Sequence, residues 1–255
     1  MKRVIFVVGL LFYGIASYAF SPYENHLLTA KVKRVALIAQ AKPGREQALG
    51  AALKGLNRNS TSKAFKEREI SNLSTFKRKL GEKVWFMVYF DYAGRDYIKA
   101  AHSFESAGEF MQEVDKLIDP HPRAAQDGSK WLQMEWICYI RGSLNNKESI
   151  RSDAMVTTIR AEKESRYRML HQSVWPGVIN RMTRCGTRNF SIFLMEYGDK
   201  IYEFFYQEYV GEDADKDGAI MKADPVIQRW WKITDACQEA LPGEKEIWAA
   251  MERVR

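Results

Sequence analysis

The sequence contains few cysteines, and none of them has the spacing of a zinc site. Cys138, Cys185 and Cys237 lie far apart, without a Cys-x-x-Cys pair or a Cys/His arrangement. Because the number is odd, at least one thiol is unpaired in an exported protein, and two of the three could form a bridge. Buried free thiols are the expected state.

Concentrated positive charge is also missing. The formal net charge is +7, but the basic residues are scattered, with only small clusters at residues 31–34 and 77–79. A nucleic-acid-binding surface needs a basic stripe with interleaved aromatics and a recognisable module. We therefore expect a solvated basic surface and no nucleic-acid partner.

Beyond the N-terminus, no hydrophobic stretch is long enough to span a bilayer. Lys2 and Arg3 precede an apolar run, residues 4–15, and Ser17 and Ala19 supply small residues before a cut. This pattern predicts a signal peptide, residues 1–19, and an exported protein, periplasmic or secreted, without stable membrane insertion after cleavage. The apolar run is shorter than the about 20 residues of a membrane helix, and an uncleaved anchor is the alternative.

After a linker at 20–31, the rest of the chain forms two segments with the same predicted order: strand, helix, strand, strand, helix, strand. In the first, the elements are residues 35–40, 44–56, 67–76, 84–92, 105–118 and 131–140. In the second, they are residues 155–160, 165–183, 189–196, 201–209, 226–240 and 247–254.

This order is ferredoxin-like and places the protein in the α+β class. A single unit leaves one sheet face uncovered, and two units can pack sheet to sheet. We therefore expect two tandem ferredoxin-like units, residues 32–142 and 153–255, joined by a polar linker at 143–152. They would form an intrachain α+β barrel, a pseudo-dimer that does not require a second chain.

One stretch of the second half concentrates residues that could do chemistry. Tyr167, His171 and Trp175 are spaced i, i+4, i+8 and share one face of the predicted helix. Pro176 should kink or interrupt this helix. The alternative interpretation is a core stripe with one hydrogen-bonded histidine.

A second stretch, residues 224–232, contains adjacent tryptophans. Neighbouring residues on a helix point about 100° apart, so Trp230 and Trp231 cannot face the same way. One can pack in the core while the other lines a pocket edge, or both can be core anchors. A third stretch, residues 186–194, is strand core with Phe190 in it, and Asn189 is either polar lining or a turn residue.

Together, the three stretches resemble L-rhamnose mutarotases in order and spacing, over about one whole domain of that family. The resemblance implies that His171 is the acid/base residue, that Tyr167, Trp230 and Trp231 contact the substrate, and that no cofactor or metal is needed. Family members commonly have a tyrosine substrate contact where this chain has Phe190. The first half has no matching histidine or tryptophan pair, which implies a degenerate scaffold.

A calcium loop is a competing interpretation of residues 213–224. The first positions of an EF-hand loop are matched by Asp213, Asp215, Asp217 and Gly218, but the twelfth position is Asp224 rather than glutamate. The resemblance to mutarotases implies a helix there instead.

The resemblance implies an enzyme that interconverts the α and β anomers of L-rhamnose or a related sugar. A base must deprotonate the anomeric hydroxyl, and an acid must protonate the ring oxygen; histidine is suited to such work. The sequence does not identify a second proton-transfer group. The alternatives are a non-catalytic exported carbohydrate-binding module and a haem-binding α+β barrel with His171 as an axial ligand.

Overall fold

The structure is a computed structural model that describes residue 27, residues 30–142 except 58, and residues 151–254. The predicted signal peptide and most of both predicted linkers lie outside the described residues. Within the described ranges, no helix has the length and apolar character of a membrane span.

The described part of the first half contains six strands and five helices. The strands are β1 (Lys33–Ala41), β2 (Ile70–Leu80), β3 (Lys83–Tyr92), β4 (Ile118–Asp119), β5 (Leu132–Gln133) and β6 (Glu135–Ile140). The helices are α1 (Glu46–Lys54), α2 (Asn59–Lys66), α3 (Ala100–Glu105), α4 (Phe110–Lys116) and α5 (Pro122–Gln126), with short 3-10 turns at Gly55–Asn57 and Tyr97–Lys99.

The second half repeats this plan. Its strands are β7 (Arg151–Ile159), β8 (Thr187–Tyr197), β9 (Lys200–Tyr209), β10 (Gln238–Glu239), β11 (Ala249–Ala250) and β12 (Glu252–Arg253). Its helices are α6 (Glu164–Gln172), α7 (Pro176–Arg184), α8 (Ala214–Ala223) and α9 (Pro225–Asp235), with a 3-10 turn at Ala161–Lys163.

The two halves exchange their last strands. In the first half, β5 pairs with β1 of its own sheet, and β6, which follows directly, pairs with β8 of the other sheet. In the second half, β11 pairs with β7, and β12 pairs with β2 of the first sheet. The two antiparallel sheets are therefore joined at both edges, which confirms the predicted α+β class and the tandem arrangement that forms one barrel.

The central core lies between the two sheets, and each sheet has helices on its outer face. Phe76, Met87 and Tyr89 of the first half pack there against Phe193, Phe204 and Tyr206 of the second. On β9, alternate residues face opposite ways: Phe204 and Tyr206 point to the other sheet, whereas Phe205 packs beneath the helices.

A polar cluster crosses the interface at one end of this core. Glu208 accepts hydrogen bonds from Asn72 (2.6 Å), Asn189 (2.8 Å) and Tyr206 (3.0 Å). Its counterpart in the first half, Asp91, accepts a hydrogen bond from Tyr89 at 3.0 Å and pairs with Arg34 Nε at 3.3 Å. Burial raises the pKa of Asp91 to about 6, although the Arg34 charge opposes that rise.

Several predicted elements differ from the structure. The predicted strand 131–140 is divided into β5 and β6, and the predicted strand 247–254 into β11 and β12. The predicted helix 226–240 ends at Asp235, because Gln238 and Glu239 pair with β7 instead. The predicted helix 105–118 begins at Phe110 and follows the separate helix α3. All three cysteines are buried and free.

Candidate active site

A pocket opens on the outer face of the second sheet, beneath α6, α7 and α9. Its volume is about 240 Å³, slightly below the about 300–1,000 Å³ of drug-sized ligand sites. Most of its walls are apolar or aromatic. It contains the five residues to which the resemblance gave a place in the site, Tyr167, His171, Phe190, Trp230 and Trp231.

Helix α6 supplies Tyr167 and His171. They lie one turn apart on the buried face, and their ring centroids are 4.2 Å apart. On the adjacent flank of the helix, Arg168 binds Glu164 at 2.8 Å and Glu135 of β6 at 2.6 Å. The charged flank therefore fixes the helix to the exchanged strand, while the aromatic face lines the pocket.

The hydrogen bond of His171 defines its tautomer. Nδ1 lies 3.1 Å from the Tyr167 carbonyl oxygen, which can only accept, so Nδ1 carries the proton and Nε2 the lone pair. Burial lowers the pKa of His171 to about 4, although the hydrogen bond to the carbonyl acts in the opposite direction. At neutral pH the imidazole is therefore uncharged and able to accept a proton.

The helix containing these residues is interrupted where Pro176 predicts a break. Helix α6 ends at Gln172, and α7 begins at Pro176, with Trp175 in an extended conformation (φ −60°, ψ 135°). Gly177 then passes so close to α9 that a Cβ there would lie 3.0 Å from Val226. Trp175 packs against Trp230 and does not line the pocket.

Helix α9 is held in place by Asp224 at its N-terminus. The Asp224 carboxylate accepts hydrogen bonds from the backbone of Val226 (2.8 Å) and Ile227 (3.2 Å), and it binds Arg181 Nε of α7 at 2.6 Å. Pro225 occupies the first helical position, where its missing N–H is not needed. The cap and the ion pair fix the position of the tryptophan pair that follows.

The two tryptophans have different environments. Trp230 is 5% exposed, and its ring lies edge-on to that of His171, with centroids 5.4 Å apart. Trp231 is 38% exposed and lies at the mouth, where a second, open cavity of about 360 Å³ begins. Trp248 and Asp235 line both cavities. Trp230 is therefore a wall of the pocket, and Trp231 lies at its edge.

Phe190 lies on the sheet side of the pocket, against Phe205, with ring centroids 5.4 Å apart. It brings no hydrogen-bonding group to the wall. The adjacent Asn189 has a positive φ of 46° at an irregularity in the pairing of β8 with β9. Its side chain points into the interface cluster, where it bonds Glu208, so Asn189 is not part of the pocket.

Sequence reasoning missed a buried carboxyl group behind the pocket. Glu203 of β9 is fully buried, and it accepts hydrogen bonds from the hydroxyl of Tyr167 and from Gln238 Nε2, the latter at 2.8 Å. Both partners line the pocket. The strand alternation could have placed Glu203 on the same face as Phe205, but only the short strand β10 brings Gln238 to it.

The first half has no comparable arrangement in its described part. Tyr89 and Tyr206 hold matching positions in β3 and β9, and three residues earlier β3 has Phe86 where β9 has Glu203. Phe86 is fully buried beneath α1. His121 is also buried, and its Nε2 lies 3.0 Å from the Glu196 carbonyl, away from the helix-covered face.

Residues 213–224 form no calcium loop. Asp213 caps helix α8 by accepting a hydrogen bond from Lys216 N at 3.0 Å, and the following residues are helical. Among the described residues, no cluster of three or more His, Cys, Asp or Glu side chains could hold a metal ion.

Comparisons with known proteins point to one family for this half. The family model for L-rhamnose mutarotase matches residues 153–254. An L-rhamnose mutarotase from Oceanobacillus iheyensis is 22% identical over 84 residues, which are 33% of this chain and 76% of that protein.

Two solved structures are similar to most of the chain. A candidate monooxygenase from Lactobacillus acidophilus has a TM-score of 0.49 and 9% identity, and the match covers 87% of this chain and 94% of that one. A candidate monooxygenase from Fusobacterium nucleatum has a TM-score of 0.47 and 11% identity, with 89% and 94% covered. Residues 153–254, which contribute every residue of the pocket except Ile140, thus match the L-rhamnose mutarotase family.

Proposed function

We propose that the second half is a sugar mutarotase that interconverts the α and β anomers of a small aldose, with L-rhamnose as the first substrate to test. The observation that carries the proposal is the state of His171. It is an uncharged imidazole with a fixed tautomer, and it lines a small aromatic pocket. Such a group can remove the anomeric proton and later return it.

The pocket walls favour a sugar with an apolar edge. Trp230, Trp231 and Phe190 offer ring faces for C–H groups, and Val174, Met182 and Ile227 add aliphatic surface. A 6-deoxyhexose has a methyl group in place of a hydroxymethyl group, so it buries more apolar surface in such walls. The volume of about 240 Å³ also favours a monosaccharide over a porphyrin.

The experiment is NMR exchange between sugar anomers catalysed by the purified protein. L-rhamnose and L-mannose form a matched pair, because they differ only by the hydroxyl at C6. We expect catalysed exchange of both, faster for L-rhamnose. If the protein catalyses exchange of neither sugar, the proposal is contradicted.

A non-catalytic carbohydrate-binding module is the second candidate, and Phe190 favours it. With phenylalanine there, the pocket loses a hydrogen-bond donor that could orient the sugar. Saturable binding of L-rhamnose by calorimetry, without catalysed exchange, would select this function. Absence of a Soret band in the purified protein would set the haem-binding alternative aside.

A further inference from the structure

A buried carboxyl group has no evident structural purpose in this fold. Glu203 lies among apolar residues beneath the helices, and none of the ion pairs among described residues includes it. At the matching position the first half has Phe86, which is equally buried. A unit of this type therefore folds with an apolar residue there, and a lone buried carboxyl is costly unless it is neutral or well bonded.

The surroundings of Glu203 keep its carboxyl group protonated at neutral pH. Burial raises the pKa of Glu203 to about 8, although the hydrogen bonds from Tyr167 and Gln238 act in the opposite direction. The other titratable groups near it are Cys138 of β6 and Cys237 before β10, both neutral thiols; burial, reinforced by Glu203, raises the pKa of Cys138 to about 12. Within the part of the chain that the structure describes, no cation forms an ion pair with Glu203.

The protonation state of Glu203 decides where the phenolic proton of Tyr167 points. An ionised Glu203 accepts that proton in a hydrogen bond and holds it away from the pocket. A protonated Glu203 donates to the phenolic oxygen instead, and the phenolic O–H becomes free to donate to a ligand. Since the Tyr167 ring lies 4.2 Å from that of His171, an acid and a base then face one cavity.

We propose that Tyr167, backed by Glu203, is the second proton-transfer group of the mutarotase reaction, an inference that rests on the proposed function. His171 Nε2 takes the proton of the anomeric hydroxyl, and that oxygen forms a double bond to C1. The bond between C1 and the ring oxygen breaks, the ring oxygen takes the Tyr167 proton, and Tyr167 takes the Glu203 proton.

The open aldehyde then turns about the bond between C1 and C2, and every transfer reverses. The former ring oxygen attacks C1 and returns its proton to Tyr167, which returns one to Glu203, while His171 reprotonates the anomeric oxygen. No net charge, electron or atom is lost. Tyr167 touches the substrate in this scheme, and Glu203 is a positioning residue that acts through it.

The test is the pH profile of anomer exchange in the unmutated protein and three variants. We expect the unmutated rate to fall as pH rises through about 8, when Glu203 ionises. Glu203→Gln cannot lose a proton, so the alkaline fall should disappear and the rate at pH 7 should drop by about 10²-fold. Tyr167→Phe should show the same two changes. Glu212→Gln, the same chemical change at an exposed carboxyl group outside the pocket, should keep the alkaline fall.

A second measurement does not depend on any variant. The infrared absorption of a protonated carboxyl group should be present at pH 6.5 and lost by pH 9 in the unmutated protein. Persistence of the full rate and of the alkaline fall in a folded Glu203→Gln protein, or absence of that absorption at pH 6.5, would overturn this assignment alone. An unmutated protein that exchanges no sugar overturns the proposed function, and this assignment with it.

Discussion

The phenol rings of Tyr89 and Tyr206 stack across the middle of the molecule, with centroids 3.5 Å apart and 11° between their planes. They hold matching positions in the two halves, as do Asn72 and Asn189, which both have positive φ at irregularities in the sheet pairing. The stack therefore marks the pseudo-two-fold relationship between the halves, and it ties the half with the pocket to the half without one.

The second half should fail as an isolated monomer. A fragment that starts at Ser152 loses strand β6 from its sheet and uncovers Phe193, Phe204 and Tyr206. Exposed apolar surface and an open strand edge promote association. Light scattering should show oligomers, or a hydrophobic dye should bind. A monodisperse monomer that binds no dye would contradict the pseudo-dimer account.

Substitution of Trp230 should mainly lower stability, and substitution of Trp231 should mainly weaken sugar binding. Trp230→Ala removes a buried ring and should cost about 3–5 kcal/mol of unfolding free energy. Trp231→Ala removes a half-exposed ring and should cost roughly 1 kcal/mol or less, while raising the KM for sugar more than it lowers kcat. Urea unfolding and exchange kinetics measure both. Equal destabilisation by the two changes would be the contrary result.

Phe190→Tyr should improve handling of L-rhamnose. The new hydroxyl would add one hydrogen bond to a mostly apolar wall, worth about 0.5–1.5 kcal/mol, or roughly 2- to 10-fold in kcat/KM. Phe205→Tyr makes the same chemical change elsewhere in the wall and serves as the control. A gain that is the same in both variants, or absent from Phe190→Tyr, would count against the role of position 190.

Stability should fall between pH 6.5 and 8 because of Glu203. The pKa of its carboxyl is raised to about 8 in the folded state, against about 4.3 when unfolded, so unfolding releases a proton in this range. The expected slope is about 1.4 kcal/mol per pH unit. His171, whose pKa falls from about 6.5 in the unfolded chain to about 4, opposes this slope near pH 6.5 and fades by pH 7.5, whereas Asp91 and Asp115, with pKa values of about 6, add to it mainly below pH 7. Urea unfolding of Glu203→Gln should lack this slope; an identical slope in that variant would refute the cause.

The sequence predicted those features that depend on local pattern. The period of two along β9, the break before Pro176 and the different directions of Trp230 and Trp231 all follow from backbone geometry. The pairing partners of β6 and β12 could not be predicted, because a short strand can join either sheet and only the packed core decides. The site of Glu203 was missed because its partner Gln238 lies in a short strand, β10, within a segment that the sequence predicted to be helical.

The exposed His102 of α3 gives a matched control for the central claim. His171→Ala should lower the rate of catalysed exchange of L-rhamnose anomers about 10²- to 10⁴-fold, because it removes the base. Circular dichroism should show that this variant keeps the fold. His102→Ala should exchange the anomers at the unmutated rate. NMR exchange spectroscopy on the three proteins is the most direct measurement: a loss confined to His171→Ala is the predicted result, and undiminished exchange in a folded His171→Ala protein would contradict the account.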